Sequence, residues 1–218
     1  MQPKSQSELI IFIIGAFILS AIPFIHWPFS WLETYFHEIS HGFAAIISGG
    51  SVDRIVLNFN GSGLCYTTGG WKPLVSFSGY AGAIIWGAVI YLGARSPGGN
   101  SRWMAFAILL LMVISGLLWA RDIITILIIP LISGLLYASF TYVKGQLFHR
   151  LMAFSGIYVL VSAARSPLTL IDGRDRGDGA ALSNLTWIPE LVWVAVWCLM
   201  AVATLVVLWK MSAQQTAQ

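Results

Sequence analysis

A succession of apolar runs, each long enough to cross a bilayer as a helix, limits this chain more than any other feature. A helix rises about 1.5 Å per residue, so about 17–25 residues cross a hydrocarbon core of about 30 Å. Runs of this kind cover 9–24, 31–47, 74–94, 104–142 and 191–209, with a shorter one at 151–164. The 104–142 run is too long for one crossing, and Arg121-Asp122 divides it in two. About six to seven transmembrane helices result. Composition agrees: 57% of the 218 residues are hydrophobic and 10% are charged, with a mean hydropathy of +0.78. Soluble domains carry about a quarter charged residues to cover their surface. A soluble globule is thereby excluded, as are disordered, coiled-coil and disulfide-framework classes. The expected fold is an all-α polytopic membrane protein, with 1–218 forming a single integral membrane unit.

Two segments read differently. Between the second and third runs, Ile55, Leu57 and Phe59 alternate with Arg54, Val56 and Asn58. Asn60-Gly61 then supplies a turn, and Leu64 to Thr68 suits a returning strand. A small β-hairpin over about 51–69 is expected. The 165–189 segment is polar and holds Asp172, Asp175 and Asp178 with Arg174 and Arg176. Lys4 precedes the first run as it would in a secretory signal. That run is long, however, and Leu19-Ser20-Ala21 lacks the small residue a cleavage site needs, so a retained span is expected. Twelve scattered Lys and Arg residues make no stripe that could track a phosphate backbone, so nucleic acid is not an expected partner. Cys65 and Cys198 read as two unpaired thiols. The Gly79, Ala83 and Gly87 series puts small residues on one face of a helix, as close helix packing requires. Arg121-Asp122 reads as a charge pair at a tight turn.

Inside the second run stands His37-Glu38-Ile39-Ser40-His41, an H-E-x-x-H pattern. Residues four apart share a helix face, so both imidazoles reach one zinc ion while Glu38 stands beside it as a proton acceptor. Zinc lowers the pKa of a bound water to about 7 and polarises a carbonyl. Ionisable groups inside an apolar segment are expensive, which favours a functional reading over a polar cluster bridging helices. Glu33, one turn earlier, is either an outer partner of a ligating imidazole or an interfacial residue. A catalytic zinc needs a third protein ligand and an open position. His26 and His149 are candidates by residue type alone; Asp172 and Asp178 are better placed.

With these residues the chain resembles the site-2 protease (M50) group of membrane zinc metalloproteases, and specifically its M50B-like branch. The resemblance rests on His37-Glu38-Ile39-Ser40-His41-Gly42, Gly49-Gly50 before the hairpin and Ser78-Gly79-Tyr80-Ala81-Gly82. It continues through Asp178, Thr186-Trp187-Ile188-Pro189 and Trp193. In the wider group the third ligand is the Asp of an Asn-x-x-Pro-x-x-x-x-Asp-Gly pattern. Pro167 and Asp172-Gly173 reproduce its spacing, with Ala164 in place of the Asn. In the M50B-like branch the aspartate heading the last helix is the more prominent match, which prefers Asp178 over Asp172.

The resemblance implies an intramembrane zinc endopeptidase with His37, His41 and one aspartate as ligands and Glu38 as catalytic base. Its substrate would be a membrane protein or peptide, held extended by β-addition to the hairpin. Its setting would be the lipid bilayer, as a multi-pass protein of a bacterial cell (inner) membrane. The alternatives are a non-proteolytic membrane protein, either a transporter or a client-binding pseudoprotease, and a zinc site that is only structural. One tension stands: simple alternation of seven spans puts His37 and the aspartate segment on opposite membrane faces.

Overall fold

A computed structural model of the chain describes residues 6–96, 100–170 and 176–214. Among these, the apolar runs become α1 (Gln6–Ser20), α2 (Trp27–Ile47), α3 (Lys72–Arg95), α4 (Asn100–Trp119), α5 (Ile123–Tyr142), α6 (Gly145–Arg165) and α8 (Glu190–Gln214). Strands β1 (Ser51–Leu57) and β2 (Gly63–Thr68) form an antiparallel pair between α2 and α3. A 3-10 turn, Ser166–Leu170, follows α6, and a short helix α7 (Gly177–Thr186) precedes α8. Five helices are long and apolar enough to cross a membrane: α3, α4, α5, α6 with the turn after it, and α8. The protein is an all-α polytopic membrane protein with a small hairpin after its histidine-bearing helix.

The helices depart from the apolar runs where polar residues find partners. α1 is 15 residues long, short for a crossing. α6 starts at Gly145 rather than at 151, because His149 and Arg150 are satisfied as helix residues. His149 Nδ1 lies 2.7 Å from Ser101 Oγ on α4, and Arg150 donates to Glu8 of α1 at 3.1 Å. Arg121 and Asp122 act on separate helix ends rather than as a charge pair. Arg121 donates to Leu117 O and Leu118 O in the last turn of α4 and to Ala120 O just after it, while Asp122 caps α5 by accepting from Thr125 N at 2.9 Å.

The small-residue series on α3 divides in role. A Cβ on Gly87 would lie 2.7 Å from Gly156 O and from Leu160 N, so its hydrogen lets α3 and α6 touch backbone to backbone. Ala83 is fully buried in the same core, together with Tyr35, Phe36 and Ile39 of α2. A second cluster joins α3, α7 and α8 through Tyr80, Leu182, Val194 and Trp197. Trp197 Nε1 donates to Phe77 O at 3.1 Å, locking α8 to α3.

The hairpin buries Ile55 and Leu57 and holds Arg54 over the Tyr66 ring on the other face. Its connection is wider than a two-residue turn. Residues 58–62 form the loop, with Gly61 at φ +81° and the Asn60 side chain accepting from Ser62 N. Phe59 therefore lies in the loop rather than in the strand, its carbonyl taken by Trp31 Nε1 at 3.3 Å. The outer edge of β1 is covered by the α4–α5 connection. Ile55 bridges to Ala120, and Leu57 N donates to Thr125 Oγ1 at 2.8 Å. Among the described residues no strand pairs with the other edge of β2.

Candidate metal centre

α2 carries His37 and His41 one turn apart, and the fold brings a third donor to them from far along the chain. Asp178, in the first turn of α7, places Oδ2 3.0 Å from His37 Nε2 and 3.3 Å from His41 Nε2. The two imidazole nitrogens are themselves 3.0 Å apart. A tetrahedral ion with bonds of about 2.0–2.1 Å keeps its ligand atoms about 3.3–3.4 Å apart. One imidazole pair and one carboxylate at these separations thus fit a single zinc ion.

Neighbouring groups orient the donors. His41 Nδ1 lies 2.6 Å from Val75 O on α3. A carbonyl can only accept, so Nδ1 carries the proton and Nε2 turns its lone pair to the cluster. Tyr80 packs edge-on against the His37 ring, with centroids 4.4 Å apart. Leu182, one turn after Asp178, is pinned between Tyr80 and Trp197, which aims the first turn of α7 at α2. Glu38 is 4% exposed, and its carboxyl stands against Gly63 of β2.

Two glycines make room for this. A Cβ on Gly79 would lie 2.5 Å from His41 Nε2 and 2.6 Å from His37 Cε1. One on Gly63 would lie 2.7 Å from Glu38 Oε1. Gly79 thus lets α3 approach the two imidazoles of α2, a close helix contact made at the candidate centre itself. Its position in Ser78-Gly79-Tyr80-Ala81-Gly82 was the available signal.

Of the other candidates, His26 Nδ1 lies 2.8 Å from Ile22 O and His149 pairs with Ser101, both away from the cluster. Glu33 is buried one turn before His37. Asp172 lies outside the described residues. Asp178 heads α7, not the last helix, since the Trp187 turn at φ +64° separates α7 from α8. The thiols of Cys65 and Cys198 are free, and burial pushes the Cys65 thiol up to about 12, away from thiolate chemistry. Among the described residues, the group able to hold a metal is His37, His41 and Asp178.

The family model described as Peptidase M50B-like matches residues 10–208, from α1 into α8. The chain belongs to the Peptidase M50B-like family. No curated protein and no solved structure matches it. Membership in the M50B-like family places the chain among membrane metallopeptidases, and the match takes in both halves of the centre, α2 and α7.

The separation that simple alternation of spans puts between His37 and the aspartate segment is not found for Asp178 in this M50B-like chain, since its Oδ2 lies 3.0 Å from His37 Nε2. His37 lies mid-way along α2, and α2 is not among the five helices apolar enough to cross. α7, only ten residues long, packs on α3 beside it.

Proposed function

We propose that the chain is a zinc endopeptidase of site-2 protease type, hydrolysing a peptide bond of a membrane protein in or near the bilayer of a bacterial cell. The observation that carries this reading is the convergence of His37 Nε2, His41 Nε2 and Asp178 Oδ2 beside a buried glutamate. Three protein ligands with a carboxylate alongside are the donor set of a catalytic rather than a structural zinc. When bound there, zinc supplies Lewis acidity toward the scissile carbonyl and a water acidic enough to attack at neutral pH.

The chain's own residues supply the rest. Glu38 takes the proton of the attacking water and delivers it to the nitrogen of the departing amine. His41 keeps its tautomer through the Val75 carbonyl. The outer edge of β2, beside Glu38, suits an extended substrate held by main-chain hydrogen bonds.

The test is Glu38→Gln in the purified full chain, with a pool of quenched fluorogenic peptides as substrate. Metal content should stay at about one zinc per chain, while cleavage falls by about 10²–10⁴-fold. Unchanged cleavage, or loss of zinc from this variant, contradicts the role given to Glu38, whereas no cleavage by the zinc-loaded wild type favours a client-binding pseudoprotease or a transporter.

A further inference from the structure

We infer that the groove between β2 and α7 is a substrate subsite that selects an acidic side chain, with Lys72 as the recognising cation. This rests on the endopeptidase reading above. A cavity of about 380 Å³ is lined by Thr67 and Gly69 after the strand, Lys72 and Val75 on α3, and Ala181 and Leu185 on α7. Both of its walls lead back to the metal centre. Val75 is the residue whose carbonyl holds His41. Ala181 and Leu185 follow Asp178 by three and seven residues and so share its helix face.

Strand geometry points a substrate into this groove. Along an antiparallel strand, backbone N–H groups alternate between the partner and the outer edge. Leu57 N–H turns outward to Thr125, so its partner Gly63 and, by alternation, Cys65 and Thr67 turn their backbone groups to the outer edge of β2. An extended segment added to β2 therefore passes Glu38 and enters the cavity that Thr67 lines. From Asp178 to Leu185 the axial rise is about 10 Å, the length of about three residues of extended chain. A side chain about two to four residues from the scissile bond thus reaches Lys72.

Charge decides what that side chain is. Among the described residues no ion pair engages Lys72. The nearby Asp53 carboxylate accepts from Thr68 Oγ1 at 2.7 Å, and Arg54 lies over the Tyr66 ring. Val75, Ala181 and Leu185 give the groove apolar walls, where a charge pair is stronger than on an open surface. The competing role for a lysine next to the exposed Trp71 is an anchor among lipid headgroups.

The experiment uses the zinc-loaded full chain carrying Glu38→Gln, in nanodiscs of zwitterionic lipid. Its probes are fluorescent, C-terminally amidated peptides of one extended sequence, with Asp, Asn or Lys placed at successive positions, read by anisotropy. At one position Asp should bind about tenfold tighter than Asn, with Lys weakest. Adding Lys72→Glu should reverse that order, and Lys72→Arg should keep it. Ala181→Trp, which fills the groove, should abolish binding of the whole set.

Equal affinity for Asp, Asn and Lys at every position overturns the subsite, as does an order unchanged by Lys72→Glu or an absence of binding. A preference that emerges only with a free C-terminal carboxylate also overturns it. So does a Lys72→Glu effect confined to discs of anionic lipid, which assigns Lys72 to the headgroups. Zinc content of the same samples separates the two claims. Loaded protein without charge preference fails the subsite alone, whereas folded protein that takes up no zinc fails the endopeptidase reading.

Discussion

Gly79→Ala places one methyl group where the structure has 2.5 Å of room to His41 Nε2, and neither imidazole can retreat freely. His41 is tied to Val75 O and His37 is boxed by Tyr80. Zinc content of this variant should fall well below half of the wild-type value. Gly134→Ala, at a helix position with nothing within 4 Å, should leave it unchanged. Metal analysis of the two purified proteins checks the pair. A Gly79→Ala protein with full zinc would mean that the imidazoles are not fixed by α3. At this scale much was legible in advance. His37, Glu38 and His41 declare themselves because ionisable groups are costly in an apolar run, and a four-residue spacing has a helical meaning. Gly79 and Val75 do not, since one acts by lacking a side chain and the other by its carbonyl.

Elements position the centre through contacts that no local pattern announces. α7 is held by Leu182, which is 1% exposed between α3 and α8. Leu182→Ala should cost about 2–4 kcal/mol of stability and loosen Asp178 with it. Zinc affinity, measured by competition with a chelator, should drop about tenfold or more while both histidines remain. The hairpin has its own anchor: Thr125 Oγ1 accepts the N–H of Leu57. Thr125→Val leaves that donor without its partner and should cost about 1–3 kcal/mol, seen as faster proteolysis within residues 51–68. The hairpin itself was readable from alternation and Asn60-Gly61. Its five-residue loop was not, because the packing of Phe59 against Trp31 overrides the short-turn signal. The closed edge of β1 depends on the α4–α5 connection, about sixty residues away in sequence.

The molecule as a whole separates its chemistry from its fastening. The metal centre sits near the start of α3, and at the far end Arg95 is buried against Tyr91 and the Glu8 carboxylate. Arg150 joins the same carboxylate, so α1, α3 and α6 meet at one charged clasp. About 24 Å of helix separates Gly79 from Arg95. Glu8→Gln should lower thermal stability by about 1–3 kcal/mol without changing zinc content. Apolar run length gave the helices, but not which of them cross; α1 is short and α2 is charged, and both lean on their neighbours. Zinc stoichiometry tests the centre most directly. Metal content should be measured in the purified full chain beside His37→Ala and Asp178→Ala. About one zinc per wild-type chain, lost in both variants, is the predicted result. Full zinc in Asp178→Ala, or none in well-folded wild type, would contradict the centre described here.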